Sequence, residues 1–255
     1  MIIDSHCHLN NLNNLPKIIE RAKKNNVTAI LNIGTSFDDF APNEKIADTF
    51  ANIYLACGIH PEYADDNVNF DATKLKKHLK HPKIVALGEI GLDYYYNADS
   101  KEKQKNMFRR QLDIAAEENL PVIIHSREAD DDCQRILSEY KNQISGVLHC
   151  FSSSKTLCEF GLTIGFYISA SGIITFKNAQ NLRDIFATVP ENRILVETDA
   201  PYLAPHPLRG KTNEPSFIVH TLECLAKIKN MTAEQTAHIT SENFFNLFTK
   251  AKTCE

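Results

Sequence analysis

The sequence predicts a parallel, eight-stranded (β/α)8 barrel, a TIM barrel, with C-terminal helices packed on it. Three observations lead there. Short apolar runs alternate eight times with polar, helix-patterned segments. Most of the runs are nearly continuous and rich in Ile, Val and Leu, as strands covered on both faces are. A length of 255 residues is common for one such barrel. A doubly wound open sheet is the competing arrangement, but no Gly-rich dinucleotide fingerprint follows the first run. No low-complexity tract, long charge run or Pro/Gly-rich linker marks a boundary, so residues 1–255 read as a single barrel domain.

The strands are expected near 2–6, 27–33, 53–58, 83–89, 121–125, 146–150, 163–169 and 193–199. Between them, 16–26 begins with Pro16, suited to a first helical turn. Residues 101–119 put Phe108, Leu112 and Ala115 on one helical stripe. Shorter helical connections are expected near 38–50, 71–80, 128–140, 153–161 and 178–188. Two helices close the chain. In 215–229, Ile218, Leu222 and Leu225 share a side, and in 232–248 Thr232 and Gln235 form a candidate capping box. Phe244, Phe245, Leu247 and Phe248 read as an apolar plug against the barrel.

A net charge of −4 argues against a basic nucleic-acid coat protein, while leaving room for an enzyme with a local basic rim. The seven cysteines are odd in number and lack a C-x-x-C pair. They read as reduced thiols of a cytoplasmic protein, neither a disulfide framework nor a zinc ribbon. No apolar run approaches the length of a membrane-spanning helix. No signal peptide is visible, since Asp4, His6 and His8 interrupt the first eight residues. No oligomeric partner is evident.

The chemistry starts at the first strand. Alternation puts His6 and His8 on one face and Cys7 on the other. Alone, this pair is as well explained by polar residues ending a buried strand. Other strand ends supply matching groups: His60 after the third, Glu89 at the fourth, His125 at the fifth, His149 at the sixth, Asp199 at the eighth. A barrel gathers its C-terminal strand ends into one ring, where active residues sit. His6, His8, Glu89, His125, His149 and Asp199 are therefore the expected metal ligands. Imidazole with carboxylate suits Zn²⁺, Mn²⁺, Fe²⁺ or Co²⁺ and, with added waters, Mg²⁺. Six ligands exceed the needs of one tetrahedral ion, so two divalent ions about 3.5–4 Å apart with a bridging carboxylate are expected. Glu89 is the candidate bridge. His6, His8 and Asp199 would complete one ion, His125 and His149 the other.

DSHCHL at 4–9, GIHP at 58–61, GEIGLDYYY at 88–96, PVIIHSR at 121–127, LHCFS at 148–152, ETDAPYLAPHPLRGK at 197–211 and TSENFFNLF at 240–248 span essentially the whole chain. Together they resemble the TatD family of metal-dependent deoxyribonucleases, among the amidohydrolase-like hydrolase barrels. The wider superfamily often bridges its metals with a carboxylated lysine; Glu89 in that place favours the TatD-like branch. One departure is Glu62 after GIHP, where some members carry a second histidine.

The resemblance implies a divalent-metal-dependent phosphodiester hydrolase, often acting on DNA ends in the 3′ to 5′ direction. Asp199 would be catalytic as proton carrier besides being a ligand, and Glu89 catalytic as the bridge. Glu197 shares the parity of Asp199 one layer deeper, and is expected to support a ligand. His60, Arg127, Arg209 and Tyr94 are candidate substrate contacts, with Lys155 and Lys211 nearby and Tyr95 and Tyr96 as further aromatics that could stack on bases. The same ligands could serve a hydrolase of a carbonyl substrate, such as a lactone, an amide or an aminoacyl ester. A metal-bound scaffold without catalysis is a third reading, opposed by the intact ligand set.

Overall fold

The computed structural model describes residues 1–68, 70–96 and 98–251. β1 (Ile2–Cys7), β2 (Val27–Gly34), β3 (Ile53–Cys57), β4 (Ile84–Asp93), β5 (Val122–Arg127), β6 (Gly146–Leu148), β7 (Tyr167–Ala170) and β8 (Ile194–Val196) pair in chain order, each pair parallel. The eight-stranded barrel expected from the alternation is what forms. Helices α1 (Leu15–Lys24), α2 (Phe40–Thr49), α3 (Ala72–His78), α4 (Lys101–Glu118), α5 (Asp130–Glu139), α6 (Lys155–Thr163), α7 (Gln180–Thr188) and α8 (Ile218–Ile228) each follow a strand, and α9 (Ala233–Leu247) closes the described chain.

The ring shuts where β8 meets β1. There the strands are joined by a short bridge between Cys7 and Ala200 and by side chains. Thr198 donates from its backbone N–H and its hydroxyl to the two oxygens of Asp4, at 2.9 and 2.6 Å. Ser5 donates to the Val196 carbonyl at 2.9 Å. Asp4 is fully buried, and burial pushes its carboxyl up to about 7.

Two apolar layers fill the molecule. One lies between strands and helices and contains Phe108, Leu112 and Ala115 of α4 with Ile218, Leu222 and Leu225 of α8, the stripes expected from their spacing. The other collects Ile3, Leu31, Val85, Ile123, Val147 and Leu195 from the strands with Phe244, Leu247 and Phe248 from the last helix and its end. Phe245 packs on this layer while partly exposed. Asn243 of α9 donates to the carbonyls of Glu191 and Ile194, both at 2.8 Å, so the plug caps the end of the barrel where strands begin. The Thr232–Gln235 capping box that starts α9 is present.

Several boundaries differ from the sequence expectation, and β4 and β5 run on past 89 and 125 to Asp93 and Arg127. The run 163–169 becomes a strand only from Tyr167, because α6 continues to Thr163 and Gly165, at φ 85°, ends it. β6 and β8 are shorter than expected, stopping at Leu148 and Val196. Cys150 and Asp199 then take φ values of 41° and 56°, which turn the chain out of the ladder. The described cysteines are free thiols; Cys254 lies outside the described residues. Among the described residues no helix is long and apolar enough to cross a membrane.

Candidate metal centre

Two irregularities aim the first ligands. Between Asp4 and Cys7, β1 advances three residues while β2 advances two, from Ile30 to Asn32. Between Leu87 and Ile90, β4 does the same against Val122 to Ile124 of β5. An extra residue in a strand re-aims the side chains beyond it. The first precedes His8 and contains His6; the second contains Glu89. Strict alternation from Ile3 would send His6 to the helix side, so the register shift brings the pair into the barrel mouth. Asp199 is likewise placed by its left-handed turn, not by strand parity. Its N–H donates to the His6 carbonyl at 2.9 Å, fixing the turn across the seam.

The six expected ligands converge on one spot, and Glu89 lies at its middle. Its Oε2 is 3.3 Å from His6 Nε2 and 3.8 Å from His8 Nε2. Its Oε1 is 2.7 Å from His149 Nε2 and 3.0 Å from His125 Nδ1. Asp199 Oδ1 closes the first group, 3.4 Å from His8 Nε2 and 3.7 Å from His6 Nε2. The fifth histidine at a strand end, His60, is also drawn in: its Nε2 lies 3.5 Å from Glu89 Oε1. Its Nδ1 accepts the Glu62 N–H at 3.2 Å. The departure from the family pattern at Glu62 thus stands next to this histidine.

Charges in the cluster are strongly coupled. Burial works against ionised Glu89, but the charges of His149 and His60 and hydrogen bonds from His125 and His149 hold it well below the usual carboxylate range. Burial also opposes charge on His8, His125 and His149. The carboxylates facing them outweigh it and raise all three. His6 goes the other way, lowered by burial and by the charge of His149. His60, whose burial is poorly compensated, falls to about 3.

The arrangement fits a divalent cation. His6 and His8 direct their Nε2 atoms at one another, 3.3 Å apart, and at the same carboxylate oxygens. Among the described residues His6 Nδ1 has no hydrogen-bond partner, although it is buried. Three overlapping donor sets, His6–His8–Glu89, His6–His149–Asp199 and His60–Glu89–His125, each have their ligand atoms within 4.8 Å. Neutral imidazole with carboxylate is what Zn²⁺, Mn²⁺ or Fe²⁺ binds.

Other buried carboxylates support the ligands, one expected and one not. Glu197, expected to support a ligand, accepts from His149 Nδ1 at 3.3 Å and from the Cys150 N–H at 2.7 Å. Asp93, to which the sequence reading gives no role, takes the His125 Nε2–H on Oδ2 at 3.0 Å and so turns Nδ1 toward Glu89. Its only sequence signal is its place in GEIGLDYYY, opposite Arg127 in the β4–β5 register. The register also explains Gly91, at φ 142°, where a Cβ would come within 2.0 Å of the His125 carbonyl oxygen. Buried amides of α4 hold the adjoining loops. Gln104 bonds both the N–H and the C=O of Asp93, and Gln111 bonds those of Ile59, next to His60.

The expected substrate contacts divide. Arg127 lies with its guanidinium 4.0 Å from the Tyr95 ring centre and 4.7 Å from that of Tyr96. Arg209 lies 3.7 Å above Phe176 and donates to the Ala204 carbonyl. Tyr94 is half-buried at the edge of a cleft: its hydroxyl donates to Asp132 at 2.6 Å and Lys101 covers its ring. Tyr95 and Tyr96 are the exposed members of that trio. Tyr202, which the sequence reading passes over, stands exposed beside His8, with ring centres 5.9 Å apart. A polar cleft of about 780 Å³ bounded by Tyr94, Lys101, Arg127, Asp130 and Ser153 opens beyond the ends of β5 and β6; none of the six expected ligands lines it.

A barrel carrying a histidine–carboxylate cluster at its C-terminal mouth defines a metal-dependent hydrolase. The comparisons agree. The TatD related DNase family matches residues 3–249, and the chain belongs to that family. It is 40% identical over 252 residues to the uncharacterized metal-dependent hydrolase YabD of Bacillus subtilis, covering 97% of this chain and 99% of that protein. It is 39% identical over 254 residues to the uncharacterized metal-dependent hydrolase YcfH of Escherichia coli K12, covering 97% and 95%. Among solved structures, YjjV, a TatD homolog from the same bacterium, superposes with a TM-score of 0.92 at 29% identity, covering 97% and 98% of the two chains.

Proposed function

We propose that this hydrolase is a deoxyribonuclease that cleaves phosphodiester bonds from DNA ends, in the 3′ to 5′ sense, with two divalent ions as cofactors. One observation carries the two-ion reading: the two oxygens of Glu89 face different ligand groups, His6 and His8 on one side, His125 and His149 on the other. When bound, the ions supply a water acidified toward neutrality and a polarised phosphodiester. The protein's residues do the rest. Asp199 completes the first group and is the proposed carrier of the nucleophile's proton. Hydrogen bonding from His8 and the charges of His6 and His8 outweigh the burial of Asp199 and hold its carboxyl below the ordinary range, so it is ionised. Asp93 and Glu197 hold His125 and His149 in the tautomers that present ring nitrogens to Glu89. His60, Arg127 and Arg209 are the proposed phosphate contacts. The family's description as DNases supports the choice of substrate. Free thiols throughout the described chain accord with work in the cytoplasm.

The deciding experiment is a metal-dependent activity panel of single- and double-stranded DNA, RNA, a lactone and an aminoacyl ester. Cleavage of DNA is the expected result. Activity confined to the carbonyl substrates would overturn the reading. A narrower check concerns Arg209: Arg209→Ala should raise KM for DNA more than for a small phosphodiester, and equal effects on both would remove Arg209 from the substrate path.

A further inference from the structure

Tyr95 and Tyr96 are 53% and 67% exposed, large aromatic surfaces left in water just past the end of β4. Their rings meet edge to face, with centres 4.8 Å apart, and the Arg127 guanidinium lies against both. Among the described residues that guanidinium has neither a hydrogen-bond partner nor an ion-pair partner. It rests against the two rings, and its N–H edges remain available. An oriented arginine with free donors suits a phosphate, and exposed aromatic faces suit a base.

The group is tied to the metal-ligand cluster by one carboxylate. Asp93 Oδ1 accepts the backbone N–H of both Tyr95 and Tyr96, each at 3.0 Å, while its Oδ2 holds His125. Arg127 is also the strand neighbour of Asp93, and follows His125 by two residues on β5. The turn bearing the tyrosines is therefore fixed relative to a proposed metal ligand.

We infer that Tyr95, Tyr96 and Arg127 form a subsite for one unpaired nucleotide beside the bond to be cut, its base on the tyrosines and its phosphate on Arg127. This rests on the nuclease reading and adds to it the residues that would seat the terminal nucleotide. A base within a duplex has both faces covered by its neighbours, whereas an unpaired end can lay a face on the rings.

The test compares kcat/KM for a single strand with ordinary terminal nucleotides against the same strand with abasic ones. In the doubly substituted Tyr95→Ala, Tyr96→Ala protein this ratio should fall about tenfold, as loss of base stacking predicts. The Tyr95→Phe, Tyr96→Phe protein should keep it, because the rings remain. Both side chains are exposed and Asp93 binds only their backbone, so folding is not at stake. A second readout needs no turnover. A strand with non-hydrolysable terminal linkages and a terminal 2-aminopurine should change fluorescence on binding the parent protein, and much less on binding the double alanine variant. DNA cleavage with an unaltered ratio in that variant would sink the subsite and leave the nuclease reading standing. A parent protein that cleaves neither strand while hydrolysing a lactone or an aminoacyl ester would sink both.

Discussion

Glu89 is the residue on which the site turns, since each of its oxygens serves a different group of imidazoles. Glu89→Gln keeps the shape and removes the charge. Metal content after reconstitution should drop from about two ions per chain, and elemental analysis showing undiminished metal would contradict the bridging role. Asp199→Asn should lower kcat by roughly 10²–10⁴-fold with the protein still folded, the range of a lost proton carrier; near-normal turnover would exclude that role. Asp93→Asn should weaken metal binding by roughly 10–100-fold without touching a ligand, measurable by competition with a chelating dye. The six ligand candidates were legible because each ends an apolar run, a signal visible in one dimension. Asp93 was not, because its role depends on register: it stands four residues beyond the run expected to end at Glu89, inside a strand that continues to Asp93. Tyr94 shows the same limit. Three consecutive tyrosines look alike in sequence, and the hydrogen bond to Asp132 and the Lys101 contact set the first apart from the exposed pair.

At the scale of elements, helix α4 does more than cover the barrel. Gln104 and Gln111 stand seven residues apart, two helical turns, and each offers its amide as a strand's peptide group would. Gln111→Leu would leave the buried N–H and C=O of Ile59 without these partners. The expected loss is about 1–3 kcal/mol for each group left unsatisfied, read by denaturant unfolding; an unchanged midpoint would show that water replaces the amide. Phe244→Ala in α9 should cost about 3–5 kcal/mol, because the ring is fully buried in the inner layer. The helices and strands themselves were largely legible, since period and turn residues fix them locally. Their ends were less so. Where a strand stops, as at Val196, is decided by when its neighbour can still pair, which is a tertiary fact.

For the molecule as a whole, protons and the proposed metal would compete for one cluster. His8, His125 and His149 have raised pKa values. In the metal-free protein their contribution to stability is full below the unfolded value of about 6.5, and is lost as pH rises through the raised values. Metal needs these imidazoles deprotonated, so its own contribution grows across the same window. The thermal shift on adding Mn²⁺ should accordingly be larger at about pH 8.5 than at about pH 6; equal shifts would show that these histidines are not ligands. The seam between β8 and β1 has a further consequence, one of time. Glu89, His125 and His149 come from three successive strands, β4, β5 and the end of β6. His6 and His8 meet Asp199 only when the first strand finds the last, across 190 or more intervening positions. Contacts so distant along the chain form late, since a long loop must close before they reward it. On a chain emerging from the ribosome, the Glu89–His125–His149 half of the cluster can assemble while β8 is still unmade, and the other half must wait for it.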